Sequence, residues 1–315
     1  MSLSDANLHS LSPLNPHSAS QILRSKGLRP RKKLGQNFLI DPNVARKLIR
    51  ILDPHKGEVF LEIGAGIGAL TLPLAESGVT AFAVEVDPKL MPLLRAVVGG
   101  FKNVRLIERD ILRVEIPRLL KEAGVNRVHV LGNLPYNMTT QIVLHLIENR
   151  EHIGRVLVTV QKEYAERLLA KPGTRLYGSI SVLAQFYSRV ENVMAISPTC
   201  FFPVPDVSSV VLRLVFREEF ATRVKDETIF RIVVRAAFAH RRKMLLNSIA
   251  ETLEMGKPRV AALIESARVN GKKRAEQLTL EELGRVADVF YGEGVSLSLE
   301  RGSTGRRRNA GVETG

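Results

Sequence analysis

Between residues 58 and 161, short apolar runs alternate with segments of helical length, and this alternation is what most constrains the fold. "EVFLEIG" (58–64), "AFAVEV" (81–86), "NVRLIERD" (103–110), "RVHVLGN" (127–133) and "RVLVTVQ" (155–161) read as buried strands. Helical stretches, among them 139–149 and 162–171, separate or follow them. Strands alternating with helices form a parallel sheet covered on both faces, because each crossover lays its helix on the sheet. The expected fold class is therefore α/β. A helix over 41–52 precedes the first strand: Asp41-Pro42 supplies an N-cap and a first-turn proline, and Val44, Leu48, Ile51 and Leu52 share one face. "NVMAIS" and "SSVVLRLVF" (208–216) have no helix between them, only the Pro-rich turn "SPTCFFPVPD". They predict an antiparallel pair at the sheet edge.

After Arg217 the strand signal stops. Residues 227–250, 258–268 and 279–291 read as helices with Gly-Lys and Asn-Gly-Lys-Lys breaks between them, a small all-helical domain. From Gly292 a Gly/Ser/Arg-rich stretch with Arg306-Arg307-Arg308 reads as disordered. Residues 1–33 are Ser-rich, have Asp5 as their only acid, and end in the basic run Arg24, Lys26, Arg29, Arg31, Lys32, Lys33. They lack the positive start and apolar block of a secretory signal. They read as a flexible basic arm, with an organelle transit peptide as the alternative. The expected division is thus 1–33 arm, 34–218 α/β domain, 219–291 helical domain and 292–315 tail, a partition that suits a chain of 315 residues.

Charge narrows the partners. With 46 Lys+Arg against 32 Asp+Glu the formal charge is +14 and the pI about 10.1. Such an excess points to a polyanion, since phosphates are neutralised by Lys and Arg with release of counterions. Charge alone does not separate RNA from DNA or an anionic membrane surface, and solubility charge is the plain alternative. The single cysteine, Cys200, excludes a disulfide framework, and the seven histidines show no metal-ligand spacing, so no metal is expected. No apolar run approaches the roughly 18 residues of a membrane span. A reducing, cytoplasmic setting follows.

"LEIGAGIGALT" (61–71) places glycines where a strand turns into a helix, allowing a tight turn and close approach of backbone to ligand. Glu85 ends the next strand, 21 residues after Gly64, where a carboxylate binds ribose hydroxyls. Asp110 ends the third, where it could accept from an adenine amino group. Two enzyme classes remain open here. Gly64, Gly66 and Ala69 fit the nicotinamide dehydrogenase pattern, but no proton-relay pair for hydride chemistry is visible. The three carboxylates Glu62, Glu85 and Asp110 suit the ribose, amino and sulfonium groups of S-adenosylmethionine better. Glu62 and Asp110 also read simply as caps.

"GNLPY" (132–136) ends the fourth strand. A base amino group is a poor nucleophile because its lone pair is delocalised into the ring. Two acceptors on its N–H groups favour a pyramidal nitrogen, and the Asn133 side-chain oxygen and the Leu134 carbonyl are two such acceptors. Pro135 fixes the turn, and Tyr136 can stack on the base, worth about 1–3 kcal/mol. The target must be flipped or unpaired to be reached. Phe201-Phe202 offer a second aromatic face, or anchor the Pro-rich turn in the core.

Together "KKLGQNFLID", "EIGAGIGALT", "VEVD", "GNLPYN", "QKE", "YGSISVLAQF", "FFPVPDVSSVVLRL", "FAHRRKMLLNSI" and "KRAEQLTLEEL" resemble the ribosomal RNA adenine dimethyltransferases, from about Lys32 to Phe290. The resemblance runs to the KsgA-type branch, which dimethylates two adjacent adenines in a hairpin loop near the 3′ end of 16S rRNA. It implies a Rossmann-like, S-adenosylmethionine-dependent methyltransferase domain with a small C-terminal helical domain. It further implies a cytoplasmic, monomeric enzyme working late in small-subunit assembly. Residue by residue it assigns Asn37, Leu39, Gly64, Glu85, Asp110 and Asn133 to the cofactor, and Asn133, Leu134 and Tyr136 to the target base. Phe201 falls on the stacking position, while Phe202 stands where that branch has small or polar residues; Ala65 replaces a common proline. The alternatives are an Erm-like enzyme of large-subunit rRNA, whose small domain is not expected to carry the "RRK…NS" helix, and a non-catalytic assembly or transcription factor of the same fold. Independently of the resemblance, Arg231, Arg235 and Arg242 recur at helical spacing as one basic stripe. Arg241, Lys243, Lys272, Lys273 and Arg274 extend this expected rRNA-binding patch.

Overall fold

The computed structural model describes Leu23 and residues 27–294. The chain divides into two compact units, one running to Ala170 and resuming over Ala184–Phe220, the other comprising Lys171–Leu183 and the chain from Ala221 on.

The first unit alternates strands and helices in this order: β1 (Phe38–Leu39), α1 (Pro42–Leu52), β2 (Val59–Ile63), α2 (Thr71–Glu76), β3 (Thr80–Glu85), α3 (Met91–Val98), β4 (Val104–Glu108), α4 (Ile116–Ala123), β5 (Val128–Asn133), α5 (Thr139–Glu148), β6 (Ile153–Gln161) and α6 (Lys162–Leu168). Helix α7 (Ser179–Tyr187) then precedes β7 (Ser188–Ile196), β8 (Phe201–Phe202) and β9 (Ser209–Phe216). Seven strands form one sheet in the order β4-β3-β2-β5-β6-β9-β7. The first five are parallel; β9 runs antiparallel to both β6 and β7. The expected antiparallel pair at the edge is present, with β9 inserted between β6 and β7.

From β2 the chain builds outward through β3 and β4, then returns to lay β5 and β6 on the other side. Strand order therefore reverses between β2 and β5, and a ligand crevice opens beyond the strand ends at such a point. Strand β2 is buried at all five positions, as a strand covered on both faces must be. Helix α1 starts as its sequence dictates: the Asp41 side chain accepts from the Asn43 and Val44 amides, with proline at the first turn.

The sequence draws residues 1–33 as a free arm. The described part departs from that: Leu23 is buried in the same core cluster as Phe38, Leu48 and Phe60, with Leu28 packed against it. Burial of Leu23 offsets the local basic composition, a fully buried aliphatic side chain contributing about 1.5–3 kcal/mol. The rest of the arm and the tail from residue 295 lie outside the described residues.

In the second unit, α8 (Glu227–Phe238), α9 (Leu245–Thr252), α10 (Lys257–Ser266) and α11 (Leu280–Gly292) enclose Phe230, Val234, Ile249, Val260, Ile264, Val286 and Phe290. Asp226 caps α8, and a Thr279/Glu282 capping box opens α11. The expected single helix over 227–250 is two helices. Ser248 explains the break: its hydroxyl donates to the Ala236 carbonyl at 2.7 Å and accepts from the His240 amide at 3.2 Å, closing a turn over 239–244. Residues 171–183, which the sequence places inside the α/β domain, are bound to this unit. The Gly173 amide donates to the Glu276 carbonyl at 2.7 Å, and the Tyr177 ring meets Phe238 edge-on at 6.0 Å.

Candidate active site

A cleft of about 670 Å³, partly open to solvent, lies in the first unit. It is lined by Leu34–Leu39, by Glu62 and the glycine turn, by Glu85 and Val86, and by Asn133–Tyr136. Three strand ends and one overlying segment thus meet at the switch point, where open α/β sheets bind their ligands.

The glycine turn leaves β2 with the Gly64 amide donating to the Val84 carbonyl at 3.0 Å. Gly66 takes φ +56°, and a Cβ there would lie 3.0 Å from the Phe38 ring. Only glycine combines that conformation with so close a neighbour. Glu85 holds the turn from β3: one oxygen accepts from the Gly66 amide and the other from the Asp87 amide, each at 2.8 Å. Burial nevertheless raises its pKa, with these hydrogen bonds opposing the rise. Each oxygen keeps a second lone pair for a ligand hydroxyl.

Glu62 is buried to 1% exposure, and its Oε2 has no partner. Burial, reinforced by the like charge of Glu85, pushes its carboxyl up to about 8. Hydrogen bonding from Thr71 opposes the rise, but a buried acid with one oxygen unpartnered is still costly unless something joins it; a cation-bearing ligand is the natural complement of that oxygen.

At the end of β5 the Asn133 Nδ2 donates to the Asn37 carbonyl at 2.7 Å, while its Oδ1 is buried and unpartnered. The Leu134 amide donates to Thr159 of β6 at 3.0 Å, which fixes the turn. The Tyr136 hydroxyl pairs with Ser209 at 2.8 Å, so the ring is held from β9. Burial raises the pKa of this phenol. The cleft therefore joins a pocket with two buried carboxyls to an exit carrying a free amide oxygen beside a fixed aromatic ring.

Such an arrangement suits transfer from an acid-paired cofactor to a planar amine. The family described as Ribosomal RNA adenine dimethylase matches residues 27–291. The chain belongs to this family. Among its relatives are "Ribosomal RNA small subunit methyltransferase A" of Geobacillus sp. (strain WCH70), 39% identical over 280 residues, 87% of this chain and 96% of that one. The protein of the same name from Lysinibacillus sphaericus (strain C3-41) is 36% identical over 281 residues, 88% and 96% of the two chains. Two solved structures share the fold. A dimethyladenosine transferase from Plasmodium falciparum has a TM-score of 0.66 at 21% identity, covering 81% of this chain and 97% of its own. The 23S rRNA methyltransferase ErmE has 0.58 at 24%, covering 80% and 99%.

Against the residues expected from the dimethylase family, the cleft collects Asn37, Leu39, Gly64, Glu85, Asn133, Leu134 and Tyr136. Two stand apart. Asp110 caps the turn after β4, accepting from the Leu112 amide at 3.0 Å, and is not in the lining. Phe201 is 1% exposed in the core cluster, because β8 pairs antiparallel with β1 and sets Phe201 opposite Leu39. Its core-anchor role is the one the structure displays. Phe202, opposite Phe38, is the partly exposed ring of the two.

The expected stripe of Arg231, Arg235 and Arg242 is not on one helix, since α8 ends at Phe238 and Arg242 lies in the following turn. Arg235, Arg241, Arg242 and Lys243 are exposed and Arg231 half-buried. Glu276 pairs with Arg241, and Glu251 with Lys243. Sequence reasoning missed Gln36, Asp87 and Ser209. Asp87 carried a faint signal, an acid following a strand-end acid and preceding a proline; Ser209 carried none. Among the described residues, no three His, Cys, Asp or Glu side chains cluster to hold a metal, and no helix is long and apolar enough to cross a membrane.

Proposed function

We propose that the chain is an S-adenosylmethionine-dependent N6,N6-dimethyltransferase of two adjacent adenines in a hairpin loop near the 3′ end of 16S rRNA. Its substrate is the small-subunit precursor, and it works as a cytoplasmic monomer. The observation that carries this reading is the buried, unpartnered Oδ1 of Asn133 at the exit of an acid-lined cleft.

The cleft fits the cofactor by the chemistry of its donors and acceptors: Glu62 and Glu85 for its positive and hydroxyl groups, Phe38, Ile67 and Val86 for its apolar ones. When bound, it supplies a methyl group made electrophilic by an adjacent sulfonium. Everything else falls to the chain. Glu85 fixes the glycine turn and offers its remaining lone pairs to ribose hydroxyls. Asn133 Oδ1 and the Leu134 carbonyl accept from the adenine amino group, turning its lone pair out of the ring toward the methyl. Tyr136, held by Ser209, stacks on the flipped base. As the new C–N bond forms, the C–S bond breaks, and the nitrogen then releases a proton to solvent. No side chain need remove a proton beforehand, so positioning supplies most of the rate. Arg231, Arg235, Arg241, Arg242 and Lys243 would grip rRNA phosphates through the helical unit.

Tritiated-methyl transfer to unmethylated small subunits, run beside naked large-subunit rRNA, tests the reading. Label in the small subunits alone is expected. Label in large-subunit rRNA would favour the Erm-type activity, and none in either would leave only a non-catalytic role.

A further inference from the structure

The amide orientation that makes Asn133 useful is set from outside its own loop. Its Nδ2 lies 2.7 Å from the Asn37 carbonyl oxygen, and only an N–H group can stand there; turned over, the amide would press two oxygens together. Oδ1 is thereby the atom left for a ligand.

Asn37 belongs to a strap anchored on both sides. Toward the base loop, Gly35 takes φ +61°, and a Cβ there would come within 2.7 Å of Asn137 Oδ1 and 3.1 Å of the Tyr136 amide nitrogen. Asn137 Nδ2 also donates to the Lys33 carbonyl at 3.0 Å. Toward the cofactor strands, Gln36 Nε2 donates to Asp87 Oδ2 at 3.0 Å, and the Arg31 guanidinium lies 3.4 Å from Asp87 Oδ1. Gln36 Oε1 accepts from the Arg31 amide at 2.8 Å. The Asp87 amide in turn donates to Glu85. One linked path runs from Glu85 through Asp87, Gln36 and Asn37 to the Asn133 amide.

We propose that the strap Arg31–Leu39 is a positioning element for the methyl-transfer step: docked between Asp87 and the base loop, it dictates that Asn133 shows its oxygen to the adenine. Gly35, Gln36 and Asp87 are positioning residues, acting through the Asn37 carbonyl. This rests on the function proposed above.

Two variants of the full chain test it. In Gly35→Ala the added methyl pushes strap and base loop apart. At saturating S-adenosylmethionine and saturating small subunits, single-turnover transfer should fall about tenfold or more, since a misplacement of about 1 Å can cost on the order of 10²-fold. The small-subunit binding constant should stay within about threefold of the parent, and saturation removes the effect of any weakened cofactor binding, since Gly35 lines the cleft. An unchanged rate, or a loss that saturation restores, overturns the proposal. In Asn133→Asp an ionised carboxylate would set an oxygen against the Asn37 carbonyl, and only the protonated acid can donate there. Transfer should therefore decline toward about tenfold per pH unit above the pKa of the new carboxyl. Glu62, Glu85, Asp87 and the Tyr136 phenol are the other titratable groups around it, and the parent's own pH profile gives their share. A profile parallel to the parent's, or no transfer at any pH, overturns the proposal. A parent chain that transfers no methyl refutes the functional reading and the inference with it.

Discussion

Replacing Glu62 by glutamine removes a titration that burial has displaced far from its ordinary range. In the unfolded chain the carboxyl ionises near 4.5; in the fold, burial and the neighbouring Glu85 raise it to about 8. Between those values the folded chain holds a proton that the unfolded chain has released. Unfolding then releases a proton, so wild-type stability is fully present below about pH 4.5 and falls as pH rises toward 8. The slope is at most about 1.4 kcal/mol per pH unit. From pH 5 to pH 8 the loss sums to about 3–4 kcal/mol, and glutamine does not suffer it. At about 2–4 °C per kcal/mol for a unit of this size, the melting temperature of Glu62→Gln minus that of the wild type should widen by about 6–16 °C across this range. Dye-monitored melts of both proteins, in matched buffers without added cofactor, give the difference directly. Parallel curves would refute the assignment of a displaced pKa to Glu62.

Glu85→Ala should destabilise the chain by about 2–6 kcal/mol, because the buried Gly66 and Asp87 amides lose their acceptors together; urea midpoints check this, and Glu85→Gln should recover part of it. Tyr136→Phe and Ser209→Ala each break one hydrogen bond, so the double variant should transfer methyl no more slowly than the worse single one; additive losses would show that Ser209 does not act through the ring. Changing Arg235 and Arg242 together to glutamine should weaken small-subunit binding and reduce the slope of log affinity against log salt by about 1.4–1.8, as expected for two phosphate contacts. Filter binding across a salt series measures it.

The α/β architecture was legible because β2, β3, β5 and β6 are buried enough to read as apolar runs, and because the glycine turn follows β2 and "GNLPY" closes β5. The pairing of β1 with β8 was not, since two-residue strands leave no periodicity and Phe38–Leu39 meet Phe201–Phe202 only through the tertiary fold. That hidden pairing is why Phe201, expected at the base, sits in the core. The break after Phe238 was invisible for a related reason: Ala239, Arg241, Arg242 and Lys243 are good helix formers, and the turn is stabilised by Ser248 from the following helix. In its described part the arm departs from the expectation because composition reports average polarity, whereas one particular side chain, Leu23, is buried and Leu28 packs partly against the same cluster. Asn133 was legible as an acceptor, but its dependence on Asn37 was not, because a backbone carbonyl carries no residue-specific mark.

The central claim is that Asn133 presents its side-chain oxygen to an adenine of small-subunit rRNA. The most direct test incubates unmethylated small subunits with S-adenosylmethionine and either wild-type protein or Asn133→Ala, then digests the 3′-terminal hairpin of 16S rRNA for nucleoside mass spectrometry. Wild-type protein should convert two adjacent adenines to N6,N6-dimethyladenosine, while Asn133→Ala binds the particles equally well and leaves both adenines unmodified. Dimethyladenosine at wild-type yield from Asn133→Ala, or none from the wild type, would contradict it.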